Sequence, residues 1–165
     1  MPEQADSLTA RFRARAEALG GSVEKVSSLR AAPGALARYL VMNGLPTGGV
    51  CWTGLRKLDW IGAGLGMEDR PPRNGDLIGV TGCVCAIADS GELMLRDGLD
   101  TPVATSRLPE AHIAVVETAR IVSGAEEAWA LFRAEGGASE AAHFVAGPAR
   151  AAAAPRRLHI ILVGA

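Results

Sequence analysis

Apolar positions along the chain change their period several times, and each change marks an element. Leu8, Phe12, Ala16 and Leu19 recur at helical spacing, with Ser7 placed to cap a helix that Gly20-Gly21 stops. Residues 23–26 read as a short strand. Pro33 suits the first turn of a second helix, with Leu36 and Leu40 inward and Asn43-Gly44 at its end. Residues 48–52 read as a strand leaving a turn, and Leu58, Ile61 and Leu65 as one face of a third, glycine-rich helical segment. Beyond the breaks at Pro71-Pro72 and Asn74-Gly75, residues 77–88 form one long apolar run, read as a single strand. Asp89-Ser90-Gly91 turns it, and residues 92–96 return as its hairpin partner. Residues 97–107 are polar and loop-like, and 112–116 read as a strand of the fully buried type. Ser123 and Glu126 have capping-box spacing ahead of a helix with Ala128, Leu131 and Phe132 inward, which Gly136-Gly137 ends. Residues 143–146 and 158–163 read as the last two strands.

Helices alternate with strands, and continuous apolar strands such as 112–116 and 158–163 belong in a sheet buried on both faces. The fold class expected is therefore α/β: a mostly parallel sheet with flanking helices and one inserted β-hairpin, in one domain over residues 1–165. Hydrophobic residues make up 48% of the chain and aromatics only 4%, so small side chains must do much of the packing.

Charge and cysteine usage narrow the function classes. A net charge of −1 and the lack of a basic face with aromatic platforms argue against nucleic acid as a partner. Arg11, Arg13 and Arg15 read as a solvated helix face. Three cysteines, Cys51, Cys83 and Cys85, fit a reducing cytoplasm better than a disulfide scaffold. No apolar run approaches the roughly 18 residues of a membrane span, and the polar start lacks a signal core.

Candidate chemistry is sparse. Gly79-Val80-Thr81-Gly82 and Asp89-Ser90-Gly91 combine glycine-lined backbone with polar side chains, as an anion pocket requires. The competing reading is an ordinary hairpin, with Gly91 at positive φ and Asp89 bonding its own backbone. Asp89 and Glu92 are close carboxylates without a histidine nearby in sequence, which leaves them solvated rather than catalytic. Arg150, after Gly147-Pro148, is the candidate to grip an acidic ligand, because guanidinium binds carboxylate or phosphate through parallel hydrogen bonds. Arg156 and Arg157 read as surface residues. Cys83 and Cys85, two apart on one strand, would share a face, but with Cys51 they fall short of a four-ligand site, so no metal is expected. His112, His143 and His159 each sit in a strand and read as structural. No P-loop, Rossmann fingerprint or nucleophile elbow is present, no catalytic residue is assigned, and no cofactor is expected.

Four segments in order resemble the LUD-domain family, in particular its lactate-utilisation LutC type. They are the run from Asp76 through Gly79-Val80-Thr81 to Ile87-Ala88-Asp89-Ser90-Gly91-Glu92-Leu93; Leu108-Pro109 with His112-Ile113-Ala114-Val115-Val116; Gly147-Pro148-Ala149-Arg150; and Pro155-Arg156-Arg157-Leu158-His159-Ile160-Ile161-Leu162-Val163. The resemblance implies a fold related to the NagB/RpiA/CoA-transferase group. It also implies a part in cytoplasmic L-lactate oxidation beside iron–sulfur partner subunits. The residues themselves offer Thr81, Gly82, Asp89, Ser90, Gly91, Gly147, Pro148 and Arg150 as contacts for a small acidic ligand. The sequence departs from the family where Ala149 replaces Ser and Ala151 replaces Thr. From Arg150 it runs through four alanines to Pro155, so that an Asp-Ile-Glu and a His-Gly are absent. Asp89 and Glu92 also replace a Glu and a Thr. Two other readings stand beside the first: a free-standing transferase- or isomerase-like enzyme acting on a CoA ester or phosphosugar, and a degenerate scaffold that only forms homo-oligomers.

Overall fold

The computed structural model describes residues 2–147 and 156–164. Its centre is a six-stranded, wholly parallel sheet in the order β1-β10-β7-β4-β2-β3. These strands are β1 (Ser22–Val26), β2 (Gly48–Cys51), β3 (Gly66–Asp69), β4 (Ile78–Thr81), β7 (Ala111–Glu117) and β10 (Arg157–Val163). A second sheet of four strands, in the order β8-β5-β6-β9, lies against it. It contains β5 (Cys85–Ile87), β6 (Glu92–Arg96), β8 (Ile121–Val122) and β9 (Ala142–Val145). Helix α1 (Pro2–Ala18) packs with the second sheet on one side of the parallel sheet, and α2 (Ala32–Met42) covers the other. Helix α3 (Ala125–Ala134) closes the far side of the second sheet. The α/β architecture with its mostly parallel, helix-flanked sheet is thus the one expected from the alternation of elements.

Three cores follow from this layering. Phe12 and Ala16 of α1 meet Leu93 and Leu95 of β6 and Leu158, Ile160 and Leu162 of β10 between the two sheets. Leu36 and Leu40 of α2, fully buried, press onto Ile78, Ile113 and Ile161 on the opposite face. Each such leucine contributes about 1.5–3 kcal/mol of hydrophobic stabilisation. Ala128 and Phe132 of α3 pack on Cys85, Ile87 and Met94.

Several expectations need correction. Helix α1 starts at Pro2, before Ser7, because proline is compatible with a first helical turn and nothing in the next residues breaks the helix. The run 77–88 is two strands. After Thr81 the chain leaves the parallel sheet through residues 82–84, and β5 pairs antiparallel with β6, with Cys85 opposite Met94 and Ile87 opposite Glu92. A continuous apolar run looks the same whether it serves one buried sheet or two. The hairpin is therefore the centre of a second sheet, not an insertion in the first. Cys83 and Cys85 do not share a face: Cys83 packs against the core between the sheets and Cys85 under α3. The segment around Leu58, Ile61 and Leu65 forms no α-helix. It makes two 3₁₀ turns, Thr53–Leu55 and Ile61–Ala63, and leaves Ile61 88% exposed. Gly62 N–H donates to Asp59 Oδ1 at 2.9 Å, and Gly64 at φ 81° stops the turn. Helix α3 is capped one residue later than the Ser123/Glu126 spacing suggested, with Gly124 N–H donating to Glu127 Oε2 at 3.0 Å.

Close strand approach explains one glycine in particular. A Cβ on Gly49 would stand 2.4 Å from the Ile78 carbonyl oxygen of the neighbouring strand, whereas one on Gly54 meets nothing within 4 Å. Gly49→Ala is therefore expected to lower the unfolding free energy by about 1–3 kcal/mol in chemical denaturation, through forced backbone displacement. Gly54→Ala should leave it within about 0.5 kcal/mol of wild type. Equal effects would contradict the β2–β4 packing.

Candidate functional site

The residues singled out in the sequence fall in three places. Thr81, the last residue of β4, is fully buried, and its hydroxyl is 2.7 Å from His112 Nε2. It faces the interior between the sheets, and Gly82 begins the link to β5. Asp89, Ser90 and Gly91 form the hairpin turn, where Gly91 N–H donates to Ile87 O at 2.8 Å and Gly91 has φ 77°. A Cβ at Gly91 would stand 2.8 Å from the Arg15 backbone, so the turn is pressed onto α1. Gly147 sits against the residue that follows α1: a Cβ there would stand 2.3 Å from Leu19 O. It lies two residues past Val145, which pairs with Leu93 of β6, so the turn and Gly147 share one end of the second sheet. Pro148 and Arg150 lie outside the described residues.

Charge decides what the turn can hold. A hollow of about 350 Å³ beside it is lined by Asp89, Ser90, Glu92, Gly124 and Phe144. Asp89 is engaged by Arg11 at 3.2 Å. Glu92 adds a second carboxylate. With two carboxylates and, among the described residues, no basic side chain in its wall, the hollow disfavours an acidic ligand.

The opposite chemistry is found at the N-terminal ends of β1, β7 and β10. There a cavity of about 620 Å³ is lined by Gly20, Ser22, Tyr39, Asn43, Glu110, Arg156, Arg157, Leu158 and His159. The sheet itself builds it. Parallel pairing sets Ser22 opposite His159, and two-residue periodicity puts Glu24 on the same side of β1 and Arg157 on the same side of β10. Ser22 Oγ is 2.7 Å from His159 Nδ1, and His159 Nε2 is 3.1 Å from Glu24 Oε1. The Tyr39 ring of α2 stacks on the imidazole at 3.9 Å and 8°. Arg38 approaches Glu24 from α2 at 3.7 Å. Arg157 donates to Asn43 Oδ1 at 3.0 Å, which ties its guanidinium to the end of α2, and Arg156 stands 3.8 Å from Glu110.

Sequence reasoning passed over this group. It took His159 as a structural strand histidine and Arg156 and Arg157 as surface residues. The available signal was the period-two polar pattern Ser22-x-Glu24 and Arg157-x-His159 at the start of two otherwise apolar strands.

Burial sets the chemistry of two of the three strand histidines, His112 and His159. His159 is 5% exposed; burial lowers its pKa, and the neighbouring Glu24 partly opposes that shift. His112 is wholly enclosed. Its Nδ1 has no hydrogen-bond partner among the described residues, and burial pushes its pKa down to about 3. The thiols are pushed up instead, by burial above all: Cys51 and Cys85 to about 11 and Cys83 to about 12. They are protonated near neutral pH and poor nucleophiles. Asp76 is held down at about 2, chiefly by the paired hydrogen bonds from Arg70 at 2.8 Å each.

The sequence profile of the LUD domain matches residues 74–163, and the chain belongs to that family. The matched region runs from just before β4 through β10. It includes Arg157 and His159 but leaves Ser22, Glu24 and Tyr39 outside. A solved structure, that of a DUF162 family protein from Deinococcus radiodurans, is similar to this chain with a TM-score of 0.76 and 25% identity. The similarity covers 97% of this chain and 98% of that one. No curated protein matches the chain. Among the described residues no helix is long and apolar enough to cross a membrane.

Acid should destabilise this protein through its enclosed histidine. His112 has a folded pKa below the unfolded value, so its contribution to stability is complete above about pH 6.5 and is lost as the pH falls toward the folded value. Between about pH 6.5 and pH 5 the unfolding free energy should drop by about 2 kcal/mol from His112 alone. Urea titrations across this range measure the drop, and proton NMR of the His112 ring should show no protonation above about pH 4. A ring that titrates near its unfolded value would contradict the burial.

Proposed function

We propose that this protein is a LutC-type component of a cytoplasmic L-lactate oxidation system, working beside iron–sulfur partner subunits and binding a small carboxylic acid. The observation that carries the reading is membership of the LUD domain family over residues 74–163. For the ligand, the N-terminal cavity offers what the hairpin turn lacks. Arg157 is fixed by Asn43, Arg156 stands beside it, and Ser22 supplies a neutral hydroxyl. A guanidinium held in place loses less freedom on binding a carboxylate and can use two parallel N–H groups. The acid is therefore assigned to Arg157 and Arg156 at the start of β10 rather than to the turn at Asp89.

Two measurements test this proposal. Calorimetric titration with L-lactate and with pyruvate should detect binding of at least one acid, and Arg157→Ala should weaken it by about tenfold or more, through loss of its charge-assisted hydrogen bonds. Purification of the tagged protein from cells grown on L-lactate should bring iron–sulfur proteins with it, and a strain lacking the gene should grow poorly on L-lactate. Normal growth on lactate, no iron–sulfur partner and no acid binding would overturn the proposal.

A further inference from the structure

We propose that Ser22 is an acyl-accepting nucleophile, activated by His159 and oriented through Glu24, and that the N-terminal cavity acts on an activated acyl ester.

The argument starts from the direction of each proton. The ionised Glu24 carboxylate has only acceptors, so the ring nitrogen facing it at 3.1 Å, Nε2, carries the hydrogen. In the neutral imidazole that leaves a lone pair on Nδ1, and Nδ1 faces Ser22 Oγ at 2.7 Å. Arg38 stands 3.7 Å from Glu24, and the Tyr39 stack fixes the plane of the ring. The Ser22 hydroxyl lies 2.7 Å from Nδ1 against 3.5 Å from the Leu158 carbonyl oxygen, so it donates to the nearer, buried base, whose tautomer is set by a third group. This is the nucleophile, base and orienter logic of covalent catalysis, with the two ring nitrogens in exchanged positions relative to the common triad. Ser22 is exposed and His159, although only 5% exposed, lines the same cavity, so both the nucleophile and its base are reached from it. Arg157, two residues before His159 on the same side of β10, is the cation available to a developing oxyanion.

The chemistry balances within these groups. Ser22 Oγ adds to the acyl carbonyl carbon as its proton passes to His159 Nδ1. The adduct collapses, the bond from carbon to the leaving alcohol oxygen breaks, and that oxygen takes the proton from Nδ1. Water then adds to the acyl-serine and gives a proton to Nδ1. The ester bond to Ser22 breaks, the acid leaves, and Ser22 Oγ recovers the proton. No oxidant or reductant enters.

A serine-directed fluorophosphonate on the intact protein, with the adduct mapped by mass spectrometry, tests this directly. The expected result is one adduct per chain on Ser22, lost in Ser22→Ala and slowed at least tenfold in His159→Gln. p-Nitrophenyl acetate should give a burst of nitrophenolate in wild type only. Ser22 is exposed, so Ser22→Ala should fold, and circular dichroism checks that it does. A folded wild type without an adduct, or one labelled equally in Ser22→Ala, overturns the inference. The lactate titration is a separate readout: acid binding without labelling defeats only the nucleophile, and labelling without acid binding defeats only the ligand assignment.

Discussion

The parallel ladder between β1 and β10 is the constraint on which the rest of the molecule's chemistry depends. Five residue pairs, from Ser22 with His159 to Val26 with Val163, fix the register. A shift by one residue would turn Ile160 and Leu162 out of the core between the sheets and move His159 to the wrong face. The hydrophobic demand of two buried faces thus places Ser22, Glu24 and His159 within hydrogen-bond reach of one another. β10 is paired on both sides, by β1 and by β7, so the imidazole stands on a rigid support. The polar row sits where the apolar pattern of the two strands begins, and the same packing energy that builds the sheet holds it in place.

The second sheet has a different role. Its hairpin turn leans on α1 and Gly147 on Leu19 just after it, and the contacts at Gly91 and Gly147 leave no room for a Cβ. Asp89 at that turn serves structure: its carboxylate pairs with Arg11 of α1, and its backbone N–H donates to Ser123 O at 3.0 Å. This joins α1, the hairpin and the start of α3. In the interior, Thr81 and His112 form a closed polar pair between the sheets, without access for a ligand. Anion binding by the glycine-rich run at Thr81 would require that pair to open.

Much of the fold was legible in the sequence because strand and helix periods are local. The positions of β1, β2, β7, β10 and α2 follow from apolar spacing with Pro33, Asn43-Gly44 and Gly20-Gly21 as punctuation. What was not legible was tertiary. The run from 77 to 88 carries no mark of where it changes sheets, since both sheets bury both faces there. Short strands such as β3 and β8 hold too few residues to show a period. The candidate site was less legible still. Glycines and a turn drew attention to residues 79–91, whereas Ser22 and His159 are 137 positions apart and meet only through strand pairing.

The central claim is that the N-terminal cavity contains a neutral imidazole whose free lone pair faces a serine. Nitrogen NMR of the His159 ring near pH 7 reads this directly. The account predicts the neutral tautomer protonated on Nε2, with Nδ1 accepting a hydrogen bond. A ring protonated on Nδ1, or on both nitrogens, would contradict it.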